Sequence, residues 1–134
     1  MKKFANFKSN LAVLAKSSEQ DLTNAFIVSG IIDKFFIQFE LGWKLLKELL
    51  AYDGRPMSAT GSPRSIIKEA YKIYDFMDEE LWLEMLAARN DMSHIYDGER
   101  ANDLVQKIIT RYIPEFQRFE KEICCAYGDG IKKL

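Results

Sequence analysis

The stretch DLTNAFIVSGIIDKFFIQFELGWKLLKELLAY, residues 21–52, is expected to form the long helix that organises the fold. Its apolar residues recur at offsets of three and four, which is the spacing of an amphipathic helix. The following DGRP, residues 53–56, ends the helix because glycine and proline both oppose its continuation.

The apolar residues of this helix cover roughly half of its circumference, more than the ~100° stripe of an ordinary surface helix. A second subunit is therefore a good candidate to cover one flank. The polar residues group on the other side: Ser29, Asp33, Glu40, Lys44 and Lys47.

The segments on either side of this helix also have helical spacing. Phe4, Phe7, Leu11 and Leu14 indicate a first helix of about four turns, which ends at the serine pair that follows. Two later helices are each predicted from a capping residue: Ser62 before Pro63, and Asp78 before Glu79. After the second of them, Asp97 and Gly98 are expected to restart the chain. The last helix is expected to run from about Glu99 to Cys125, with a kink at Pro114.

These segments predict an all-α protein, in which no strand alternation or internal repeat is visible. We expect an up-and-down bundle of about five helices around a four-helix core, with residues 1–134 forming a single domain and two copies forming a homodimer. A chain of 134 residues with 48% hydrophobic content can bury one real core without metals or disulfides.

Charge and cysteine content narrow the possible functions. The 19 basic and 20 acidic residues are spread along the sequence, which argues against a basic face for non-specific nucleic-acid binding. Cys124 and Cys125 are neighbours, a spacing that suits neither an ordinary disulfide nor a multi-ligand metal site. The most apolar run is interrupted by Asp33, Lys34 and Glu40, and no signal peptide opens the chain. We therefore expect a cytoplasmic protein without a membrane span, metal or cofactor.

The stretch RNDMSHIYD, residues 89–97, contains the only histidine of the chain. Five residues of unbroken helix correspond to ~140° of rotation, so Arg89 and His94 share a face only if the helix breaks between them. Ser93 and the Asp97–Gly98 turn favour such a break. A neutral imidazole could take a proton from a ribose 2′-hydroxyl while a guanidinium holds a phosphate. Acid–base cleavage needs two such groups, and a homodimer would supply a second His94.

A plainer interpretation of the same residues stays open. An arginine, a histidine and a tyrosine near a helix C-terminus could simply cap carbonyls, favour the negative end of the helix dipole and pack a ring. Arg64 is expected to be a solvated first-turn residue rather than a phosphate contact. The acidic residues 78–80 are expected to begin a helix rather than to bind a metal.

The stretch RNDMSHIYD resembles the R-x-x-x-x-H-x-Y signature of the HEPN superfamily (higher eukaryotes and prokaryotes nucleotide-binding domain). FELGWKLLKELL (39–50), SPRSIIKEAY (62–71) and LWLEMLAARNDMSHIYD (81–97) are similar, in the same order, to segments of its bacterial branch of nucleotidyltransferase substrate-binding proteins. The resemblance implies a helical bundle, a homodimer and a separately encoded partner, a minimal nucleotidyltransferase.

Site residues are also implied by this resemblance. In related toxin–antitoxin pairs the HEPN protein is a metal-independent ribonuclease, and its partner silences it by adding AMP to the motif tyrosine. By position, the catalytic roles fall on Arg89 and His94, and the modification on Tyr96. Nucleotide or RNA binding falls on these three residues and Asn90. Three hypotheses stay open: a substrate-binding module, a ribonuclease toxin, and a scaffold whose motif only shapes an interface.

Overall fold

The computed structural model describes residues 2–55, 61–91 and 97–128, and within these ranges every regular element is helical. This confirms the predicted all-α class. The elements are α1 (Lys2–Leu14), a 3₁₀ turn (Ala15–Glu19), α2 (Ala25–Tyr52), α3 (Pro63–Ile73), α4 (Glu79–Asn90), α5 (Gly98–Lys107), a π-helical turn (Ile108–Tyr112) and α6 (Ile113–Tyr127). Because α5, the π turn and α6 follow one another without a gap, the described residues form the five helical rods that the sequence predicts.

Helix α2 is the centre of the bundle, as expected. Helices α1, α3, α4 and α5 all pack against it. Its buried face includes Phe35, Phe39 and Leu46, which join Trp82 of α4 and Phe116 of α6 in one core. The predicted central apolar helix is thus confirmed, with its end at Tyr52, and it fixes the positions of the polar side chains at its edges.

The start of α2 differs from the prediction. The helix begins at Ala25 rather than near Asp21, because the Asp21 carboxylate accepts hydrogen bonds from the amide and hydroxyl of Thr23 and so closes a local turn. Asn24 provides the cap instead, since its Oδ1 accepts a hydrogen bond from the Phe26 amide at 2.9 Å.

The two predicted caps, Ser62 and Asp78, are confirmed, and the structure adds a third at Asp97. Ser62 Oγ accepts a hydrogen bond from the Ser65 amide at 3.2 Å, and Asp78 Oδ1 accepts one from the Leu81 amide at 3.1 Å. Asp97 Oδ1 accepts one from the Glu99 amide at 3.0 Å. These caps fix where α3, α4 and α5 begin. Helices α4 and α5 contain the two ends of the RNDMSHIYD motif or lie next to them.

The irregularity expected at Pro114 lies just before it, in the π turn Ile108–Tyr112. A proline has no N–H for the carbonyl four residues earlier, and its ring crowds that carbonyl. The wider π turn accommodates the proline while the helix continues.

A buried carboxylate fixes the N-terminal end of α4. Glu115 is 5% exposed, and its Oε2 accepts hydrogen bonds from the Asp78 amide at 3.1 Å and from Trp82 Nε1 at 3.0 Å. Its Oε1 accepts a hydrogen bond from Arg118 Nη2 at 2.7 Å. Helix α4 is thereby anchored to α6 at its start.

Within the described ranges, the helices are too short or too polar for any of them to cross a membrane.

Candidate functional site

Arg89, in the last turn of α4, lies beside a carboxylate of α2. Its Nη2 is 2.7 Å from Oε1 of Glu40. The other oxygen of that carboxylate, Oε2, accepts a hydrogen bond from Trp43 Nε1 at 3.1 Å and lies 3.9 Å from Lys44 Nζ. Arg89 Nη1 donates a hydrogen bond to Asn90 Oδ1 at 3.2 Å. We call Glu40, Trp43, Lys44, Arg89 and Asn90 the Arg89 cluster.

The Arg89 cluster is partly open to solvent. The side chains of Arg89 and Glu40 are 32% and 30% exposed. Glu40 Oε1 is buried and accepts no aligned hydrogen bond from the described residues, so its contact with Arg89 is mainly one of charge. Ion pairs with this degree of exposure contribute about 0–1 kcal/mol, because water competes for both charges. An incoming phosphate could therefore take over part of the guanidinium at low cost.

The helix break that Arg89 and His94 require is partly confirmed. Helix α4 ends at Asn90, and Asp91, with φ −97° and ψ 29°, no longer has helical backbone angles. The next helix begins at Gly98. His94 and Tyr96 lie outside the described residues, so their places in the site remain predictions from the sequence.

The plainer interpretation of Arg89 as a carbonyl cap fits the geometry less well. Within the described residues, its contacts are with the side chains of Glu40 and Asn90 rather than with the last carbonyls of α4. Its position in the last turn is still favourable for a cation beside the negative end of the helix dipole. Arg89 is therefore oriented from α2 as well as by its own helix.

Two grooves flank the C-terminal half of α4. The first, of about 320 Å³, lies between α3 and α4 and includes Arg64, Leu83, Leu86, Arg89 and Asn90 in its wall. The second, of about 350 Å³, lies between α4 and α5, where Glu84, Asp91 and Asp103 are mixed with Arg100 and Lys107. The α3–α4 groove has two arginines and no carboxylate in its wall, so it is the better place for an anion.

The described residues contain no group of three or more side chains that could hold a metal ion. Asp78, at the start of the acidic run 78–80, is the cap of α4, as expected. Cys124 and Cys125 are free and exposed.

The sequence does not predict the contact between Glu40 of α2 and Arg89 of the motif. The sequence pattern places Glu40 and Lys44 only on the polar side of α2, and Trp43 in its apolar arc. A carboxylate with an indole three residues later and a lysine four residues later was the available signal. That spacing places all three side chains on one side of a helix.

Comparison with protein families agrees with the sequence resemblance. A family model described as "nucleotidyltransferase substrate binding protein like" matches residues 2–124, which include every described helix of the bundle except the last residues of α6. A search of curated proteins gives no match. The matched range contains the whole RNDMSHIYD motif and both elements that form the Arg89 cluster. The chain belongs to the family of nucleotidyltransferase substrate binding protein like proteins.

Proposed function

We propose that this protein is the substrate-binding subunit of a two-component complex with a separately encoded minimal nucleotidyltransferase. In this proposal it binds a nucleotide or RNA at Arg89, Asn90, His94 and Tyr96. The family description supports the link to a nucleotidyltransferase. The motif at the C-terminal end of α4 supplies the groups that such a ligand needs.

The observation that carries the proposal is the state of Arg89. Its guanidinium is about one-third exposed and is held by a carboxylate from another helix. A guanidinium presents a planar set of N–H donors that matches phosphate geometry, and it keeps its charge at any physiological pH. Because Glu40 fixes its position without burying it, Arg89 can meet a phosphate with little loss of side-chain freedom.

The homodimer remains part of the proposal. Two large apolar side chains of α2 point into solvent: Phe26 is 90% exposed and Ile37 is 49% exposed. A second copy that covers this side would bury them. A stable interface should bury at least ~1,000 Å² in total. Such a dimer would also provide two copies of His94.

The alternative is a metal-independent ribonuclease that the partner silences by adding AMP to Tyr96. The spacing of Arg89 and His94, together with the end of α4 at Asn90, favours it. In that mechanism His94 would move the proton of the ribose hydroxyl, while Arg89 would stabilise the phosphate charge. AMP on Tyr96 would place a phosphate where the RNA phosphate must bind.

One set of samples tests these possibilities. The protein is purified alone and with the transferase encoded beside it, incubated with ATP, and analysed by pull-down, nucleotide binding, RNA gel and intact mass. We expect co-purification, and nucleotide or RNA binding that Arg89→Gln weakens. Cleavage of RNA that is lost in His94→Ala and unaffected by EDTA would favour the ribonuclease. An AMP-sized mass increase absent from Tyr96→Phe would add the silencing step.

The proposal is wrong if the wild-type protein neither associates with the transferase nor binds nucleotide or RNA. Arg100→Gln is a matched control, because it removes one exposed arginine from the opposite side of α4.

A further inference from the structure

The α3–α4 groove contains an arginine that the proposed function does not use. Arg64 lies in the first turn of α3 and shares the groove wall with Arg89 and Asn90. The two arginines are 25 residues apart in sequence and reach the groove from different helices. The fold therefore places two guanidinium-bearing residues around one groove of about 320 Å³.

Arg64 differs from three other arginines, each of which forms an ion pair with a carboxylate. Arg89, Arg111 and Arg118 each lie 2.7 Å from a carboxylate oxygen. Arg64 is exposed and makes no ion pair or side-chain hydrogen bond with any described residue. Its charge is thus not neutralised within the described fold, and no internal contact has to break when it binds an anion.

The other groups in the groove wall favour the same class of ligand. None of them is a carboxylate, and the floor contains the half-buried Leu83 and the buried Leu86. The hydroxyls of Ser62 and Ser65 are already used in the cap of α3, so the two arginines and Asn90 are the polar side chains left to bind. A groove with cationic sides and an apolar floor suits a phosphate that carries a sugar or base.

We propose that Arg64 is a second phosphate-binding residue, which with Arg89 makes the α3–α4 groove the place where the phosphate of a nucleotide, free or within RNA, is held. This inference rests on the proposed function and adds to it a binding residue outside the RNDMSHIYD motif. Arg64 is an exposed first-turn residue, as expected, and the inference adds a ligand contact to that position.

The test measures binding of a fluorescein-labelled single-stranded RNA, and separately of ATP, to wild type, Arg64→Gln, Arg64→Lys and Arg100→Gln. We expect Arg64→Gln to weaken binding about five- to tenfold and to lower the salt dependence by about 0.7 in log–log slope, as loss of one phosphate contact on a single strand does. Arg64→Lys should retain part of the affinity, because it keeps the charge but not the planar donors.

Arg100→Gln serves as the matched control. It removes an exposed arginine from the groove whose wall also contains Glu84, Asp91 and Asp103, so it should leave binding unchanged. Circular dichroism should show that all variants are folded, because both arginines are exposed.

The outcomes separate this inference from the proposed function. Weaker binding of RNA alone would assign the groove to a strand, and weaker binding of both probes would assign it to a terminal phosphate; either supports the inference. If wild type binds and Arg64→Gln binds equally well, or if Arg100→Gln weakens binding as much, the inference is wrong while the proposed function stands. If wild type binds neither probe, the proposed binding function fails and this inference fails with it.

Discussion

The two ends of α4 are held by the same three chemical groups, a carboxylate, an indole N–H and a guanidinium, in different surroundings. At the N-terminal end, Glu115 is 5% exposed and accepts the indole N–H of Trp82. At the C-terminal end, the side chain of Glu40 is 30% exposed and accepts the indole N–H of Trp43, while Arg89 lies beside it. The first cluster is closed and the second is open.

This difference in exposure suits the Glu115 cluster to a structural role and the Arg89 cluster to a binding role. A buried carboxylate is tolerated only when its oxygens are satisfied, and both oxygens of Glu115 accept hydrogen bonds. An open cluster contributes less to folding, so one of its members can exchange partners with a ligand at low cost. We therefore expect substitutions in the closed cluster to reduce stability, and substitutions in the open cluster to change binding.

The largest expected effect is that of Glu115→Ala. The substitution leaves the Asp78 amide and Trp82 Nε1 without their acceptor and Arg118 without its carboxylate. Loss of an acceptor costs roughly 1–3 kcal/mol for each buried donor. We expect the free energy of unfolding to fall by about 3 kcal/mol, measured by urea denaturation.

The control for Glu115→Ala is Arg118→Gln. Arg118→Gln removes only the donor to Oε1 of Glu115 and leaves Oε2 with both of its donors, so it should cost less than Glu115→Ala. An unfolding free energy for Glu115→Ala within ~1 kcal/mol of wild type would contradict the structural role of the closed cluster.

An intermediate effect is expected from a cluster of two tyrosines around Asp53, which joins the end of α2 to α6. Asp53 Oδ2 accepts hydrogen bonds from the hydroxyls of Tyr74 at 2.5 Å and Tyr127 at 2.7 Å. Burial, followed by the bond to Asp53, raises the pKa of Tyr74 far above its ordinary value. Burial also raises the pKa of Tyr127 to about 12.

Alkaline pH should therefore destabilise the protein. The folded state keeps both hydroxyls protonated, whereas the unfolded chain loses these protons from about pH 10. The stabilisation is complete below that pH and is lost as pH rises towards 12 and beyond, by about 1.4 kcal/mol per pH unit for each tyrosine.

Urea denaturation midpoints between about pH 9 and 12 measure this loss of stability, because tyrosines of the unfolded chain titrate at about pH 10. Tyr74→Phe should make the decline with pH shallower, because one of the hydroxyls that stay protonated in the folded state is then absent. Tyr71→Phe removes an exposed hydroxyl and controls for the loss of a tyrosine. An unchanged slope in Tyr74→Phe would mean that the Asp53 cluster does not couple folding to pH.

The sequence predicted the local features of both ends of α4 but not their long-range contacts. The Asp78 cap follows from residues adjacent in sequence, as does the end of α4 before Gly98. The pairing of Glu40 with Arg89 spans 49 residues and depends on how α2 and α4 pack, which hydrophobic spacing alone does not specify. For the same reason, Arg64 was not expected to share a groove with Arg89.

The smallest effect, and the most direct test of the comparison, is expected from Glu40→Gln. The amide oxygen can still accept the Trp43 indole N–H, while the charge beside Arg89 is lost. Because both charged side chains are about one-third exposed, the free energy of unfolding should change by less than ~1 kcal/mol.

The matched substitution Glu115→Gln should cost more, because a buried amide turns one N–H₂ group towards the Asp78 and Trp82 donors or towards Arg118. Urea denaturation of the two glutamine variants side by side measures the difference. If Glu40→Gln destabilised the protein as much as Glu115→Gln, the C-terminal end of α4 would be a second structural anchor, and Arg89 would not be free to exchange Glu40 for a phosphate.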